Sequence, residues 1–409
     1  MGSKPVALWL NPGGFSVLAD DLLEGSPVDR VIYLLLIVFG LIVLLHRPIN
    51  WSRLIVGNGW IVLLFVYGAI SIIWSDYPFV AFKRWIRGIG TIVMILIILT
   101  EDDPVEAVTT LIRRTAYVFI PLSIILIKYY PGIGIGYDTW TGAKYYSGVT
   151  TSKNELGRLC MIFGFYFFWN IYSNWRDISQ NKKKIFLNAI IILLLARLFM
   201  LAHSATSTAC FIAGVLFLLI IKRPGIRKNA HNIGFYFIIT AAVYFLLDWS
   251  MDLRRIIIEI LGRNATLTDR THIWNILLNV GTNPWIGTGY ESFWLGNRLN
   301  SLWSSWAYGH VNEAHSGYLE IYLNQGFLGL ALFLIVIITA FRNSKKELIT
   351  NFNYGMFTMG MLIMILLYNY TESGFRMQSM VLFIFYIIAI KVPKSPQSRI
   401  PEQFNPTLQ

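Results

Sequence analysis

The sequence predicts an all-α polytopic membrane protein with about 11–12 transmembrane helices, and three observations support this class. Hydrophobic residues make up 55% of the 409 residues, and only 14% are charged, against roughly 25% in soluble domains. Long apolar runs recur along the chain as solid blocks, whereas a membrane β-barrel would show alternation. Basic residues collect between these runs, so the net charge of +12 indicates membrane topology, and nucleic acid is not expected as a partner.

Each apolar run is interpreted as one helix of a single transmembrane domain that covers residues 1–409. The runs lie near residues 31–45, 56–74, 88–100, 113–129, 155–172, 185–201, 207–221, 233–248, 327–341, 354–370 and 376–391. A weakly apolar segment at 6–18 could add a twelfth span or lie in the interface, so the orientation of the N-terminus stays open.

The distribution of lysine and arginine predicts the orientation of the helices. Four basic connections fall on one side and should be cytoplasmic: RDISQNKKK (176–184), KRPGIRK (222–228), RNSKK (342–346) and the tail from Lys391. The long loops 130–154 and 249–317 then face outward, and the second should contain short helices.

Several kinds of site are not expected from the sequence. Cys160 and Cys210 both lie inside apolar runs, so we expect them to serve packing and not a disulfide or a metal. PGIGIGYD (131–138) lacks the spacing of a phosphate-binding loop and is interpreted as a plain loop. No paired aspartates accompany the acidic residues of the outer loops, so we expect no metal site.

Some cations break the topology pattern. Lys83, Arg84 and Arg87 lie on the outward side in SDYPFVAFKRWIRG, where they either snorkel at a helix end or bind an anionic ligand. Arg197 lies about 20 Å above the cytoplasmic Lys184 by helical rise. An intramembrane arginine marks a functional site unless it pairs with a neighbouring helix.

Arg270 has an unusual position in the outer loop. Thr268 can cap a short helix that Gly281 and Pro284 end. Helical spacing puts Arg270 on the same face as Ile273, Trp274 and Leu277, with His272, Asn275 and Asn279 on the other face. A cation on the buried face of a helix N-terminus is electrostatically unfavourable, so the position predicts a nearby anion.

His315 is the candidate general base. Asn312 is a candidate N-cap, which would place His315 in the first helical turn. The polar stripe Glu313, Ser316, Glu320 and Asn324 would then lie opposite His315, Tyr318, Leu319 and Tyr322. Burial and the helix dipole should lower the histidine pKa and keep it neutral. The alternative is a histidine that only packs in the core.

Four stretches in this order resemble the O-antigen ligase and polysaccharide polymerase superfamily, within it the exopolysaccharide-polymerase-like branch. They are WSDYPFVAFKRWIR, GVTTSKNELGRL, LTDRTHIWNILLNVGTNPWIGTGYESFW and HVNEAHSGYLEIYLNQGFLGL. The resemblance implies a metal-independent, inverting glycosyltransferase without a cofactor, in the bacterial inner membrane with its active face periplasmic. The implied donor is a glycan on undecaprenyl pyrophosphate, and the acceptor is a sugar or lipid A-core.

The family residues carry over onto particular positions of this chain. The loop arginine falls on Arg270, the histidine on His315, and a Lys-Asn pair on Lys153 and Asn154. A Ser-Arg pair found in many relatives corresponds to HSATS (203–207), where the nearest arginine is Arg197.

The predicted mechanism has an arginine-bound pyrophosphate and a histidine base. The residues expected to bind the pyrophosphate or glycan are Arg270, Arg84, Arg87, Arg197, Lys153, Asn154 and Glu313. The aromatic residues Trp294, Trp303, Trp306 and Tyr308 would stack on sugars or anchor the interface.

Other functions stay open at this stage. A lipid-linked oligosaccharide flippase or polysaccharide transporter is the alternative in another class, and a non-catalytic glycan-binding partner is a third possibility. Ligase and polymerase are not distinguished. A flippase and a chain-length regulator are candidate protein partners, and their genes beside this one would favour a polymerase.

Overall fold

The computed structural model describes residues 26–137, 142–236, 239, 270–305 and 311–393, and this part of the chain is almost entirely α-helical. The all-α polytopic class is therefore confirmed. The long helices are α1 Pro27–Leu45, α3 Gly59–Ile70, α4 Pro78–Leu99, α5 Pro104–Tyr129, α7 Lys153–Ser179, α8 Lys182–Ala202, α9 Ala205–Ile221, α13 Gly317–Thr350, α14 Phe352–Thr371 and α15 Met380–Ala389. The short elements are α2 Trp51–Gly57, α6 Pro131–Gly134, β1 Ile135–Tyr137, β2 Lys144–Tyr146, α10 Pro224–Lys228, a 3₁₀ turn Ala230–Asn232, α11 Arg270–Leu278 and α12 Gly296–Ser305.

Apolar runs and local caps explain where these helices begin. Proline occupies the first position of α1, α4 and α5, where its missing N–H has no partner to lose. The Asp103 carboxylate accepts the N–H of Glu106 at 3.0 Å, and the Asn181 side chain accepts from two N–H groups of α8. Each cap satisfies donors that the helix itself leaves free.

Every predicted run except 233–248 overlaps one or two described helices, and of that run only residues 233–236 and 239 are described. Five helices of the described residues are long and apolar enough to cross a membrane, or six if the bent pair α2 and α3 forms one span. The five are α1, α5, α8, α13 and α14. The total of 11–12 spans stays a prediction, and the segment 6–18 lies outside the described residues.

The run predicted as one helix at 56–74 is broken. Its two pieces, α2 and α3, bend by 84° at Asn58. The Asn58 amide donates to the carbonyls of Leu54 and Lys391 at 2.8 Å and accepts the Lys391 N–H at 2.8 Å. This side chain therefore ties the bend to the segment after α15, a contact between distant positions that local periodicity does not reveal.

Two loop predictions were also wrong. RNSKK (342–346) is helical, because α13 continues to Thr350 and only Asn351 separates it from α14. In PGIGIGYD, residues 131–137 form α6 and β1, and β1 pairs antiparallel with β2, with Gly136 opposite Tyr145. The basic residues of 342–346 thus lie on the last turns of a helix.

The core lies around α14, which packs between α9 and α13. Cys160 and Cys210 are buried and free, as predicted. By contrast α1 exposes apolar side chains such as Leu34 and Phe39, which is typical of a helix surface that faces lipid.

The helix bundle has two ends. At one end, α4, α7 and α13 begin and α14 ends, and Glu291 accepts the Met377 N–H at 3.0 Å. We call this the site end, because the candidate functional site described below lies here. At the opposite end, α1, α4 and α15 end, and Arg47 donates to the carbonyl of Ile97 at 2.6 Å.

Candidate functional site

An ionic cluster lies at the site end, where four segments meet. Asn154 comes from the first turn of α7, Arg270 begins α11, His315 precedes α13, and Glu372 follows α14. Three of these four residues are among the predicted site residues. The structure therefore brings together residues that are far apart in the chain.

The Arg270 helix faces the way the periodicity predicts. Arg270 is only 8% exposed and Leu277 is fully buried, while His272 and Asn275 are exposed. The guanidinium pairs with the carboxylate of Glu372. The anion predicted beside Arg270 is thus supplied by the protein itself; the proposed cap Thr268 lies outside the described residues.

Glu372 is the centre of the cluster. It is 4% exposed, pairs with Arg270, and accepts from Asn154 Nδ2 at 3.3 Å. Burial alone would raise the pKa of this carboxyl, but His315 and Arg270 beside it outweigh burial and lower the pKa below its ordinary value. Glu372 is therefore ionised and available to orient an imidazole.

His315 lies in a tight turn and not in the first turn of a helix. Its φ angle is 48°, in the left-handed region, and the N-cap of α13 is Ser316 and not Asn312. The cause is close packing against α14: the Gly317 N–H donates to the Glu372 carbonyl at 3.0 Å, and a side chain at 317 would overlap Asn369. A strained turn of this kind is common at functional sites.

The predicted direction of the His315 pKa was also wrong. Nδ1 of His315 lies 3.3 Å from Glu313 and 3.9 Å from Glu372, although neither approach is aligned as a hydrogen bond. Burial lowers the pKa of His315, but the negative charges of Glu313 and Glu372 outweigh burial and raise it above its ordinary value. Glu313 lies beside the imidazole and not on the opposite face.

The rest of the predicted polar stripe faces the protein interior. The Glu320 carboxylate accepts from Trp294 Nε1 at 2.8 Å, from the Ala314 N–H at 2.7 Å and from the Ser373 hydroxyl at 3.2 Å. Asn324 Oδ1 accepts the Phe293 N–H at 3.0 Å. Glu320 thereby joins three loops around His315, which explains why a carboxylate lies buried here.

Three more of the predicted site residues are cations outside the ionic cluster. Lys153 is exposed at the start of α7, beside Asn154. Arg84 donates to the Glu291 carbonyl. Arg87 lies over the Tyr33 ring, 5.4 Å from its centroid. Each of these cations is at the site end.

Arg197 is not brought into the cluster. It lies on an exposed face of α8, and no contact between it and the ionic cluster occurs in the described part of the chain. Its predicted role in binding pyrophosphate stays a prediction.

Sequence reasoning missed Glu372 and Arg376. Arg376 Nη1 lies 3.5 Å from a Glu313 carboxylate oxygen. The predicted helix 376–391 begins only at Met380, so the boundary error placed Arg376 in a helix. Glu372 lay in the predicted connection between the runs 354–370 and 376–391 and was not recognised. The signal was present as TESGFR (371–376): an acidic and a basic residue in a short outward connection.

The cluster also has the spacing of a cation site. Glu313, His315 and Glu372 each offer one ligand atom, and these atoms lie within 4.8 Å of one another. However, Arg270 and Arg376 already supply positive charge to both carboxylates. Both carboxylates of this group therefore already have a cationic side chain beside them.

The predicted sugar-stacking aromatics are engaged inside the protein. Trp294 is buried and bonds Glu320, and Trp303 donates to the Val311 carbonyl at 3.0 Å. Trp306 and Tyr308 lie outside the described residues.

Two comparisons with known proteins show what this chain is similar to. Residues 189–334 match a family model described as O-antigen ligase. The chain is 27% identical over 304 residues to the exopolysaccharide production protein ExoQ of Rhizobium meliloti (strain 1021), covering 71% of this chain and 66% of the relative, just under two thirds of its length. The resemblance inferred from the sequence motifs is thereby confirmed.

Proposed function

We propose that this chain, a multi-pass membrane protein similar to O-antigen ligases and to an exopolysaccharide production protein, is an inverting glycosyltransferase that polymerises or ligates undecaprenyl-pyrophosphate-linked glycans. The two likenesses support a role in polysaccharide biosynthesis. The observation that carries the finer proposal is His315 beside Glu313 and the Glu372–Arg270 pair.

His315 acts as the general base. With Nδ1 facing two carboxylates, the proton is favoured on Nδ1, which leaves Nε2 to accept another. A pKa raised toward working pH suits a group that must take a proton and later release it. The acceptor hydroxyl gives its proton to His315 as its oxygen bonds to the anomeric carbon of the donor. The bond from that carbon to the bridging phosphate oxygen breaks, and undecaprenyl pyrophosphate leaves with the electron pair on that oxygen.

Cations at the site end stabilise the leaving pyrophosphate. Exposed Lys153 lies beside the cluster, and Arg270 commits one nitrogen to Glu372 while its guanidinium carries further donors. Arg84, Arg87 and Arg197 remain candidates for the same role. Charge-assisted bonds to phosphate strengthen as charge develops on the leaving group, which lowers the barrier.

On this proposal the protein lies in the inner membrane, and its site end faces the periplasm. Basic residues crowd the opposite end, in the segments 182–184, 222–228 and 342–346, which suits a cytoplasmic face. A flippase would deliver the donor and a chain-length regulator would limit the product. The acceptor is a sugar or lipid A-core, and the reaction needs no metal or cofactor.

One structural observation disfavours a transporter. Among the described residues, the buried charged side chains are Arg270, Glu320 and Glu372, and all three lie at the site end. A transport path for a charged lipid-linked glycan would place charged groups along the middle of the bundle.

Turnover of purified protein with a lipid-linked glycan tests the proposal. His315→Gln should lower the rate by about 10²–10⁴-fold, whereas His272→Gln, on the exposed face of α11, should leave it near wild type. A chelator should not change the rate of the wild-type protein or of His272→Gln. Turnover that survives His315→Gln, or that disappears with chelator, would contradict the proposed mechanism.

A further inference from the structure

An apolar cavity of about 470 Å³ lies between α1, α4, α5 and α15. Phe163 of α7 completes its described lining, which includes no residue of the ionic cluster. Two threonines of the lining direct their hydroxyls to their own helices: Thr91 donates to the Arg87 carbonyl at 3.3 Å, and Thr115 donates to the Leu111 carbonyl at 2.8 Å. The middle of the wall therefore offers a ligand almost no polar group.

The cavity opens on the apolar outer surface of the bundle. Leu36 of α1 and Leu111 of α5 both line it, and they are 47% and 38% exposed. An apolar cavity of about 150 Å³ stays dry and can hold one benzene ring. An empty cavity would leave its walls without packing partners, which destabilises a fold. The wall therefore favours an apolar ligand taken from the surrounding bilayer.

The dimensions of the cavity match one acyl chain. Its volume is about three times that of the cavity that holds benzene, which gives room for about 18 carbon atoms. Along α4 the lining runs from Arg87 to Ile98, about 16 Å by helical rise. This depth is close to half of a hydrocarbon core roughly 30 Å thick, or one leaflet. An undecaprenyl chain is several times longer and branched at every unit, so an unbranched acyl chain fits better.

A cation lies at the site end of the cavity, where a lipid head group would be. Arg87 lines the cavity and lies over the Tyr33 ring, 5.4 Å from its centroid. The Gln378 side chain is within hydrogen-bond distance of the same guanidinium. A guanidinium has five N–H donors and can bind two phosphate oxygens at once. Arg87 thus lies about one leaflet above the floor of the cavity, the position of a phospholipid phosphate.

The contacts of α1 show what a bound chain would stabilise. This helix packs mainly against α4, where a side chain at Gly40 would overlap Val93 and Met94, and one at Gly90 would overlap Ile37. The cavity separates α1 from α5 and α15. A chain in this space would join α1 to both of those helices.

We propose that this cavity binds one acyl chain of a bilayer phospholipid, with the phosphate on Arg87, and that the bound lipid fixes α1 to the bundle. The site is distinct from the ionic cluster, and the inference does not depend on the proposed glycosyl transfer. It assigns Arg87 to a bilayer phosphate and so removes that arginine from the candidates for the leaving pyrophosphate.

Native mass spectrometry of the full chain, purified from phospholipid membranes in mild detergent, tests the site. The wild-type protein should retain one phospholipid. Thr115→Trp should lose it, because the indole would occupy the middle of the cavity. Val118→Trp is the matched control, since Val118 is 57% exposed on the same helix and does not line the cavity; this variant should keep the lipid. Retention in both variants, or loss in both, would overturn the inference.

A photoreactive acyl chain locates the lipid without any variant. Phosphatidylglycerol with a diazirine near the end of one chain should cross-link the wild-type protein at the floor of the cavity, at Ile98 and Ile387. Labels that instead collect on outer surfaces of the bundle, such as Leu34 and Phe39 of α1, would show contact with bulk lipid only and would contradict a specific site.

Rebinding of lipids to delipidated protein tests the head group and the source of the chain. Phosphatidylglycerol should bind the wild-type protein about 10-fold more tightly than diacylglycerol with the same chains, which lacks the phosphate. Arg87→Gln should remove most of this difference. Undecaprenyl phosphate should not displace the phospholipid. Equal affinities of the wild-type protein for the two lipids, or displacement by undecaprenyl phosphate, would refute the assignment.

Discussion

Two arginine–glutamate pairs at opposite ends of the bundle differ sharply in burial. Arg270 and Glu372 at the site end have side chains 9% and 5% exposed, whereas Arg47 and Glu101 at the opposite end are 21% and 48% exposed. In the exposed pair, Arg47 also donates to the Ile97 carbonyl and the Thr100 hydroxyl, and it joins the segment after α1 to the end of α4. The buried pair also reaches Asn154 and His315. Because its charges are removed from water, it carries a larger desolvation cost than the exposed pair.

The largest expected effect comes from breaking the buried pair on one side. Arg270→Met leaves the Glu372 carboxylate buried without its cation, which typically costs about 3–5 kcal/mol. We expect a strongly lowered melting temperature in detergent and loss of turnover.

Removing both partners separates the contribution of the Arg270–Glu372 pair to stability from its contribution to turnover. The double variant Arg270→Met with Glu372→Gln should recover most of the stability, because no unpaired charge remains. Turnover should stay low, since Glu372 no longer orients His315. Additive losses of stability would show that the two residues do not act as a pair.

Removing the charge of one partner of the exposed pair should have little effect on stability or turnover. Glu101→Gln removes the charge of its more exposed partner, so it should cost about 0–1 kcal/mol, as expected for surface ion pairs, and leave turnover near wild type. A loss comparable to that of Arg270→Met would remove the distinction between the two ends.

Cysteine labelling tests which end faces outward. Asn297 is exposed on α12, and Lys346 is exposed near the end of α13. A cysteine at 297 should react with a membrane-impermeant reagent in intact cells with a permeable outer membrane, and one at 346 should not. The reverse pattern would place the ionic cluster in the cytoplasm and contradict the proposed function.

The helical parts of the site were predictable from the sequence, and the turns between them were not. The buried face of α11 follows from 3.6-residue periodicity, so Arg270 and Leu277 were assigned correctly. The turn at His315 depends on contacts of Gly317 with α14, which no local pattern encodes. The predicted direction of the His315 pKa failed for the same reason, because the turn places Glu313 beside the imidazole and Glu372 joins it from a distant segment.

The pH dependence of turnover tests most directly the central claim that carboxylates tune His315 as a base. A base must be unprotonated, so kcat/KM should fall as pH decreases through the pKa of His315. Because Glu313 and Glu372 raise that pKa, the acidic limb should lie above the ordinary histidine value of about 6.5. Glu313→Gln removes one negative charge and should move the limb to lower pH, while Glu101→Gln at the opposite end should not. An acidic limb that stays in place in Glu313→Gln would contradict the claim.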